Sequence, residues 1–549
     1  MSGPTGHGAA GRRVAGSESA AGGAAELQVL IARLTGIAEE MGAVLRRSAF
    51  SPNIKERADC SAAVFDAQGR VLAQAAHIPV HLGSLPASVA AVIERFGTSL
   101  GPGEQAMVND PYAGGTHLND LTLVAPCWVD GVLVGWAANR AHHADLGGAA
   151  PGSMPADATE IQQEGLRLPP VRVADDTVAI VLAGSRTPEE RAGDLDAQVG
   201  ANAVGVARLA GLASGSFGEV LDHGERCCRA ALLGLPEGEW AASDVVDSTG
   251  GNDGPSGPAA IVCTVRHRDG RLTFDFAGTD AQRPGNVNAP EAVTVSCVAF
   301  AVRAALDPDL PANAGVMRPV RVLAPAGSLV AARFPAAVGA GNVEVSQRIA
   351  DVCLRALAQA VPDRVAAASQ GTMNNLLVGR AHPGASGAAW VYYETIGGGQ
   401  GGRPPRPGVP GARPLAGMSG VHTGMTNTRN TPVEALERAY PMRVLRQRLR
   451  RGSGGDGAAP GGEGIERELL VLDDVVVSLI TERRVSAPWG LGGGGPGAVG
   501  ENWLLPGGDE ARAERLPDKC TVRLAAGDVL RMLTPGGGGW GPPPGPDVT

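Results

Sequence analysis

At 549 residues the chain is too long for one simple core, and roughly two to four packed lobes are expected. It carries no apolar run near the roughly 18 residues of a membrane span and no signal-peptide apolar core in its first residues, so a cytoplasmic protein with no membrane partner is expected. A mixed net charge of −9 argues against nucleic acid as principal partner, and eight scattered cysteines without a CxxC pair read as reduced thiols rather than a disulfide frame.

Residues 1–24 read as a disordered tail. Leu27, Leu30, Ile31, Leu34, Ile37, Met41, Val44 and Leu45 then give 25–49 one apolar helical face. "SAAVFDAQGRVLAQAA" predicts two strands around an Asp-Ala-Gln-Gly turn. A helix is expected over 86–97, and "GEQAMVND" starts another strand. "LTLVAPCWV" and "VLVGWAANR" flank Asp130-Gly131, a pair suited to a tight type I′ hairpin turn. Stretches 155–168 and 186–233 look helical.

From about 236 the pattern turns β-rich, with a second hairpin at Asp269-Gly270. Helices are expected over 290–306 and 344–360. The glycine- and proline-rich stretch 397–424 reads as a flexible loop or a backbone cradle. Short strands alternate with glycine runs over 464–541, and the last residues are expected to fray. The fold class is α+β: a multi-lobed chain of β-hairpins and long helices with a β-rich C-terminal part. The expected division is the tail 1–24, an N-terminal α+β lobe 25–235, a central α+β lobe 236–463 with the glycine-rich loops, and a C-terminal part 464–549.

The chemistry starts from absences. The chain's two lysines, Lys55 and Lys519, do not follow a GxxxxG pattern, so there is no Walker A loop. No HExxH helix occurs. What remains is "GGTHLNDLTL" followed by "NRAHHADLGG". With Asp130-Gly131 as a two-residue loop, Asn119 pairs with His142 and Leu118 with His143. His117, Asp120 and the His142-His143 pair then converge at the open end of the hairpin. Two imidazoles and a carboxylate suit a divalent ion such as Mn, Fe, Co or Zn. Strict alternation places His142 on the face of His117 and His143 on the face of Asp120, so the spacing leaves open which histidine is the ligand. The competing reading is polar decoration at strand ends.

His77 and His81 are separated by Pro79, which argues against a helical chelate and leaves a pocket wall or packing. "YYETIGGGQGG" and "GVHTGMTNTRNTP" combine glycines with Glu394, His422, Asn427, Arg429 and Asn430. Such loops can present donors to a carbonyl or carboxylate, or serve as tight turns. The carboxylates of "GDLDAQ" read as helix-surface charges.

Through these residues the sequence resembles the hydantoinase B/oxoprolinase family. The motifs are "SPNIKERADCSAAVFDAQGRVLAQAAHIPVHLGS", "NDPYAGGTHLNDLTL", "RAHHADLGG", "GDLDAQ", "GNVNAP", "AGNVEVSQRI", "QGTMNN", "YYETIGGG", "MTNTRNTP" and "TPGGGGWG", spread over 25–541. The resemblance implies a subunit working with a hydantoinase A-type partner that binds ATP and phosphorylates the substrate carbonyl. The B-type chain then completes hydrolytic opening of a cyclic amide such as 5-oxoproline or a hydantoin. Acetone and acetophenone carboxylases are similar, and their metal motif implies His117, Asp120 and His142 as ligands here. On this reading His143 or Asp145 moves a proton, and Glu394, Asn427 and Arg429 contact substrate. A ketone carboxylase subunit or a silent scaffold for the ATPase partner are the rival expectations. Ala58 and Cys60 in "RADCS", and Gly424 in "VHTGMTNT", depart from the common family pattern.

Overall fold

The computed structural model describes residues 16–75, 78–212, 216–249, 257–380 and 388–544, with side chains from residue 23 onward. Of the expected tail, 1–15 lie outside the described residues. From Gly16 the chain is already helical, running to Ser48, in keeping with the high helix propensity of the alanines in "GSESAAGGAA". His77 and the extreme C-terminal residues 545–549 also lie outside.

Among the described residues the strands form four sheets. The first is antiparallel and six-stranded, built from β1 (Cys60–Asp66), β2 (Val71–Ala75), β3 (Ala106–Val108), β4 (Asp120–Val129), β5 (Val132–His142) and β6 (Val171–Arg172), in the order β2-β1-β5-β4-β3-β6. Helices Gly16–Ser48 and Pro188–Ala210 pack on it, burying Leu34, Met41 and Leu209 against Val64 and Ala137. The second sheet comprises β7 (Gly238–Val246), β8 (Ala259–Arg268), β9 (Arg271–Asp275) and β10 (Val320–Leu323). Helix Ser346–Ala360 covers it, and helix Glu291–Ala305 packs on that helix.

The third sheet runs β12-β11-β15-β18, from β11 (Asn375–Gly379), β12 (Val391–Thr395), β15 (Val475–Ile480) and β18 (Lys519–Leu524). The fourth comprises β13 (Met442–Arg450), β14 (Gly464–Val471), β16 (Glu501–Leu505), β17 (Glu514–Leu516) and β19 (Val529–Leu533). This is an α+β architecture, with mostly antiparallel sheets and helices packed on them. The first sheet draws its strands from Cys60–Arg172 and the second from Gly238–Leu323. The division at 463/464 falls between β13 and β14, which pair along their whole length.

The expected helix at 155–168 does not form; only Ile161–Gln163 makes a 3-10 turn. Tertiary contacts override local propensity here: Glu164 is drawn inward, where its carboxylate accepts the backbone N–H groups of Val338 and Gly339.

The glycine runs are a packed backbone bundle, not a free linker. Gly399 donates to the carbonyl of Pro535, Gly402 to Gly538, Gly537 to Gly462, and Gly455 to Gly537. A Cβ on Gly537 would collide with the Gln400 carbonyl, so only glycine permits this approach of chains.

Candidate metal centre

The Asp130-Gly131 turn is the expected type I′, with φ of 48° and 77°. The ladder beyond it is not the expected one. A bulge between Cys127 and Trp128 shifts the register by one, so Asp120 stands opposite His142, and Leu121 opposite Ala141. Cross-strand partners share a face. His142 therefore joins Asp120, and His143 turns to the other side.

His117 arrives from the turn that precedes β4, where the Asp120 N–H donates to the His117 carbonyl at 3.1 Å. Gly114 makes that approach possible: its φ is +84°, and a Cβ there would strike the backbone of Ala87. Asn119 fixes the other strand by donating to the carbonyls of His143 and Gly152, at 2.9 and 3.0 Å. Gly114, the asparagine and the bulge bring His142 to one point with His117 and Asp120.

His117 Nδ1 lies 3.2 Å from Asp120 Oδ2, and His142 Nδ1 lies 3.4 Å from Asp120 Oδ1. These contacts gather both rings around one carboxylate, the donor set a divalent cation takes. All three side chains are buried, and one ligand atom from each lies within 4.8 Å of the others. Both rings also keep a buried Nε2 without a hydrogen-bond partner, an arrangement that is costly unless an ion or water meets the ring. The residues present therefore fit a metal.

Support surrounds the cluster. Thr116 Oγ1 donates to Asp120 Oδ2 at 2.6 Å. His81 Nε2 lies 3.3 Å from the same oxygen, while its Nδ1 meets Ser61 Oγ at 2.9 Å. Asn342 Nδ2 lies 2.8 Å from His117 Nδ1, delivered by a π-helical turn, Gly341–Val345. Tyr393 stacks on His142 with ring centroids 4.4 Å apart, and the Arg57 guanidinium covers Tyr393. Burial pushes the Asp120 carboxyl up, but His117 and His81 outweigh it and hold the group well below the usual carboxylate range. Burial lowers His142, with Asp120 pulling the other way. The free space there is about 20 Å³, the room of one ion or water molecule.

Other expected site residues lie outside this cavity. His143 is buried against Gln198, with Nε2 2.8 Å from Oε1; burial and Arg191 lower it to about 4. Asp145 accepts from Gly147, Gly152 and Arg186, fixing a loop. Glu394 is paired with Arg467 at 2.6 Å and accepts from Asn430 and Thr431. Its strand neighbours Tyr393 and Thr395 face the cavity instead, as alternation requires. Asn427 and Arg429 are exposed, whereas Thr426 and Thr428 beside them line the wall. His422 meets Asn430 at 3.2 Å. Sequence reasoning missed Asp59, Asn342, Tyr393 and Thr395 as wall residues; the alternation within β12 was the signal available for the last two.

The chain belongs to the hydantoinase B/oxoprolinase family, which it matches over residues 24–543. It is 37% identical to 5-oxoprolinase 1 of Arabidopsis thaliana over 94% of this chain but only 42% of that protein, so it spans about two-fifths of that relative. A Pseudomonas chain named as the B-type subunit of a D-/L-hydantoinase is 30% identical, over 94% of this chain and 90% of that one. Among solved structures, the ATP-dependent caprolactamase of Pseudomonas jessenii superposes with a TM-score of 0.84 at 26% identity, covering 94% of this chain and 90% of the other. All eight cysteines are free, and among the described residues no helix is long and apolar enough to cross a membrane.

Proposed function

We propose that this chain is the B-type subunit of an ATP-dependent hydrolase of cyclic amides or imides, of the 5-oxoproline or hydantoin type. The observation that carries the reading is the buried His117–Asp120–His142 cluster with its unpartnered imidazole nitrogens. The relatives named as oxoprolinase, as a hydantoinase's B-type subunit and as caprolactamase support the substrate class. A hydantoinase A-type partner binds ATP and phosphorylates the substrate carbonyl; this chain's lack of a Walker A loop is consistent with that division of labour.

A divalent Mn, Zn or Fe held by His117, Asp120 and His142 supplies Lewis-acid stabilisation and a more acidic water. Asn342 and Thr116 hold His117 and Asp120 in place. Thr395, Thr426 and Thr428 line the cavity with their hydroxyls linked to one another, and this hydroxyl chain is the candidate donor to a developing oxyanion, the role expected of the Glu394, Asn427 and Arg429 positions beside them. The proton-moving role expected of His143 and Asp145 draws no support from their placement, since neither lines the cavity.

The test is ring opening of 5-oxoproline and hydantoin by the chain with its A-type partner and ATP. Stoichiometric ADP release with ring opening, lost in His117→Ala, is the expected result. Strict bicarbonate dependence with a ketone substrate would convert the reading to a carboxylase. Full turnover in His117→Ala would leave the chain a scaffold.

A further inference from the structure

We infer that a second cavity, walled by the 149–151 loop and by strands β15 and β18, binds a short aliphatic carboxylate through Arg186 and Arg523. Its free space is about 270 Å³, against about 20 Å³ at the metal cluster, and no residue lines both. Small-molecule sites run from roughly 300 Å³ upward, so the room suits a ligand of a few carbons.

The walls are set before any ligand arrives. Gly152 has a φ of +92°, and a Cβ there would strike the Leu377 side chain, so the loop lies directly on β11. Asp145 ties the loop together by accepting the N–H groups of Gly147 and Gly152. The same carboxylate takes Arg186 Nη1 at 2.9 Å, and the Gly147 and Gly148 carbonyls accept from Nη1 and Nη2. Arg186 is thereby held still, with two of its five N–H donors left over. Arg523 stands beside Val476 in the β15–β18 ladder. Its guanidinium has no hydrogen bond or ion pair among the described residues.

The lining names the ligand. Two guanidinium groups share the wall with Ala150, Pro151 and Val476, and no acid lines the cavity. Asp145 is spent on Arg186 and the loop, and the exposed Asp157 meets the Thr521 hydroxyl at 3.4 Å. A carboxylate fills a guanidinium fork with both oxygens, while its methylenes cover apolar wall that water otherwise wets. Phosphate has no apolar body to do so. The inference stands apart from the hydrolase reading, although ring opening of an amide yields a ligand of this same class.

The full chain is titrated with butanoate, butanamide and inorganic phosphate by ligand-observed NMR, alongside Arg523→Gln and His117→Ala. Wild type is expected to bind butanoate about tenfold or more tighter than butanamide, the range of a hydrogen bond to a charged group, and tighter than phosphate. Arg523→Gln is expected to weaken butanoate binding by a similar factor; the side chain is exposed, and an unchanged thermal midpoint confirms the fold. His117→Ala, which dismantles the metal cluster, is expected to bind butanoate as wild type does. No saturable butanoate binding, equal binding of the amide, or full affinity in Arg523→Gln overturns the inference. Phosphate preferred over butanoate overturns the ligand class, and loss of binding in His117→Ala overturns the location by moving the carboxylate to the cluster. None of these readings depends on turnover, so failure of ring opening leaves them intact.

Discussion

Asp120 and His142 face each other across the β4–β5 ladder, one residue away from the register that the Asp130-Gly131 turn alone would set. That single step decides which of two adjacent histidines meets the carboxylate. It yields a direct comparison: His117→Ala and His142→Ala should each abolish near-stoichiometric metal content, while His143→Ala should keep it. Elemental analysis of the purified variants, with circular dichroism to confirm folding, checks this. Metal retained in His142→Ala and lost in His143→Ala would invert the assignment.

The support around Asp120 should be worth less than the ligands but still measurable. Ser61→Ala breaks the contact that orients His81, and Thr116→Val removes a 2.6 Å hydrogen bond to the carboxylate. Each is expected to weaken metal affinity by roughly 10- to 100-fold without abolishing binding. Competition with a chelator of known affinity gives the number, and unchanged affinity in both variants would show that the surrounding bonds are incidental.

Glu164 gives a pH signature in stability. Burial pushes its carboxyl from 4.5 up to about 8, against the opposing pull of the Gly339 and Val338 N–H groups. The folded state thus keeps a proton that the unfolded state releases on passing 4.5. The contribution of this group to stability falls as pH rises from there to about 8, then levels off. Glu164→Gln should flatten that fall by an amount on the order of a few kcal/mol. Urea unfolding at both ends of the window measures it, and parallel profiles for wild type and variant would refute the assignment.

The glycine bundle predicts opposite outcomes for one kind of substitution. Gly537→Ala drives a methyl group into the Gln400 backbone and should cost on the order of 3 kcal/mol or more. Gly200 lies in helix Pro188–Ala210 with open space where its Cβ would go, so Gly200→Ala should stabilise by about 1 kcal/mol. Thermal unfolding of the two variants separates the cases.

Much of this was legible in the sequence, to within one residue. The hairpins, most of the helices and the family motifs can be read from periodicity and turn chemistry. The misses share a cause: both strand alternation and ladder register change sign with a shift of one. The Cys127/Trp128 bulge separated His142 from His143, and the side of β12 separated Tyr393 and Thr395 from Glu394. In the "TNTRN" loop, Thr426 and Thr428 turned inward while Asn427 and Arg429 turned out. Composition names the loop that reaches a cavity, but which side chains enter it depends on bulges and packing set elsewhere in the chain. The absent helix at 155–168 has the same origin, since Glu164 serves backbone groups more than 170 residues away.

By composition, "TPGGGGWG" and "TIGGGQGG" look like the places to split this chain, graft a tag or splice in a reporter. Interlocked backbones reverse that advice. An insertion at Gly399–Gly402 or Gly536–Gly539 would pry apart segments that are distant in sequence and hold one another through main-chain hydrogen bonds, whereas the exposed turn at 406–411 offers an engineer a tolerant site only a few residues away.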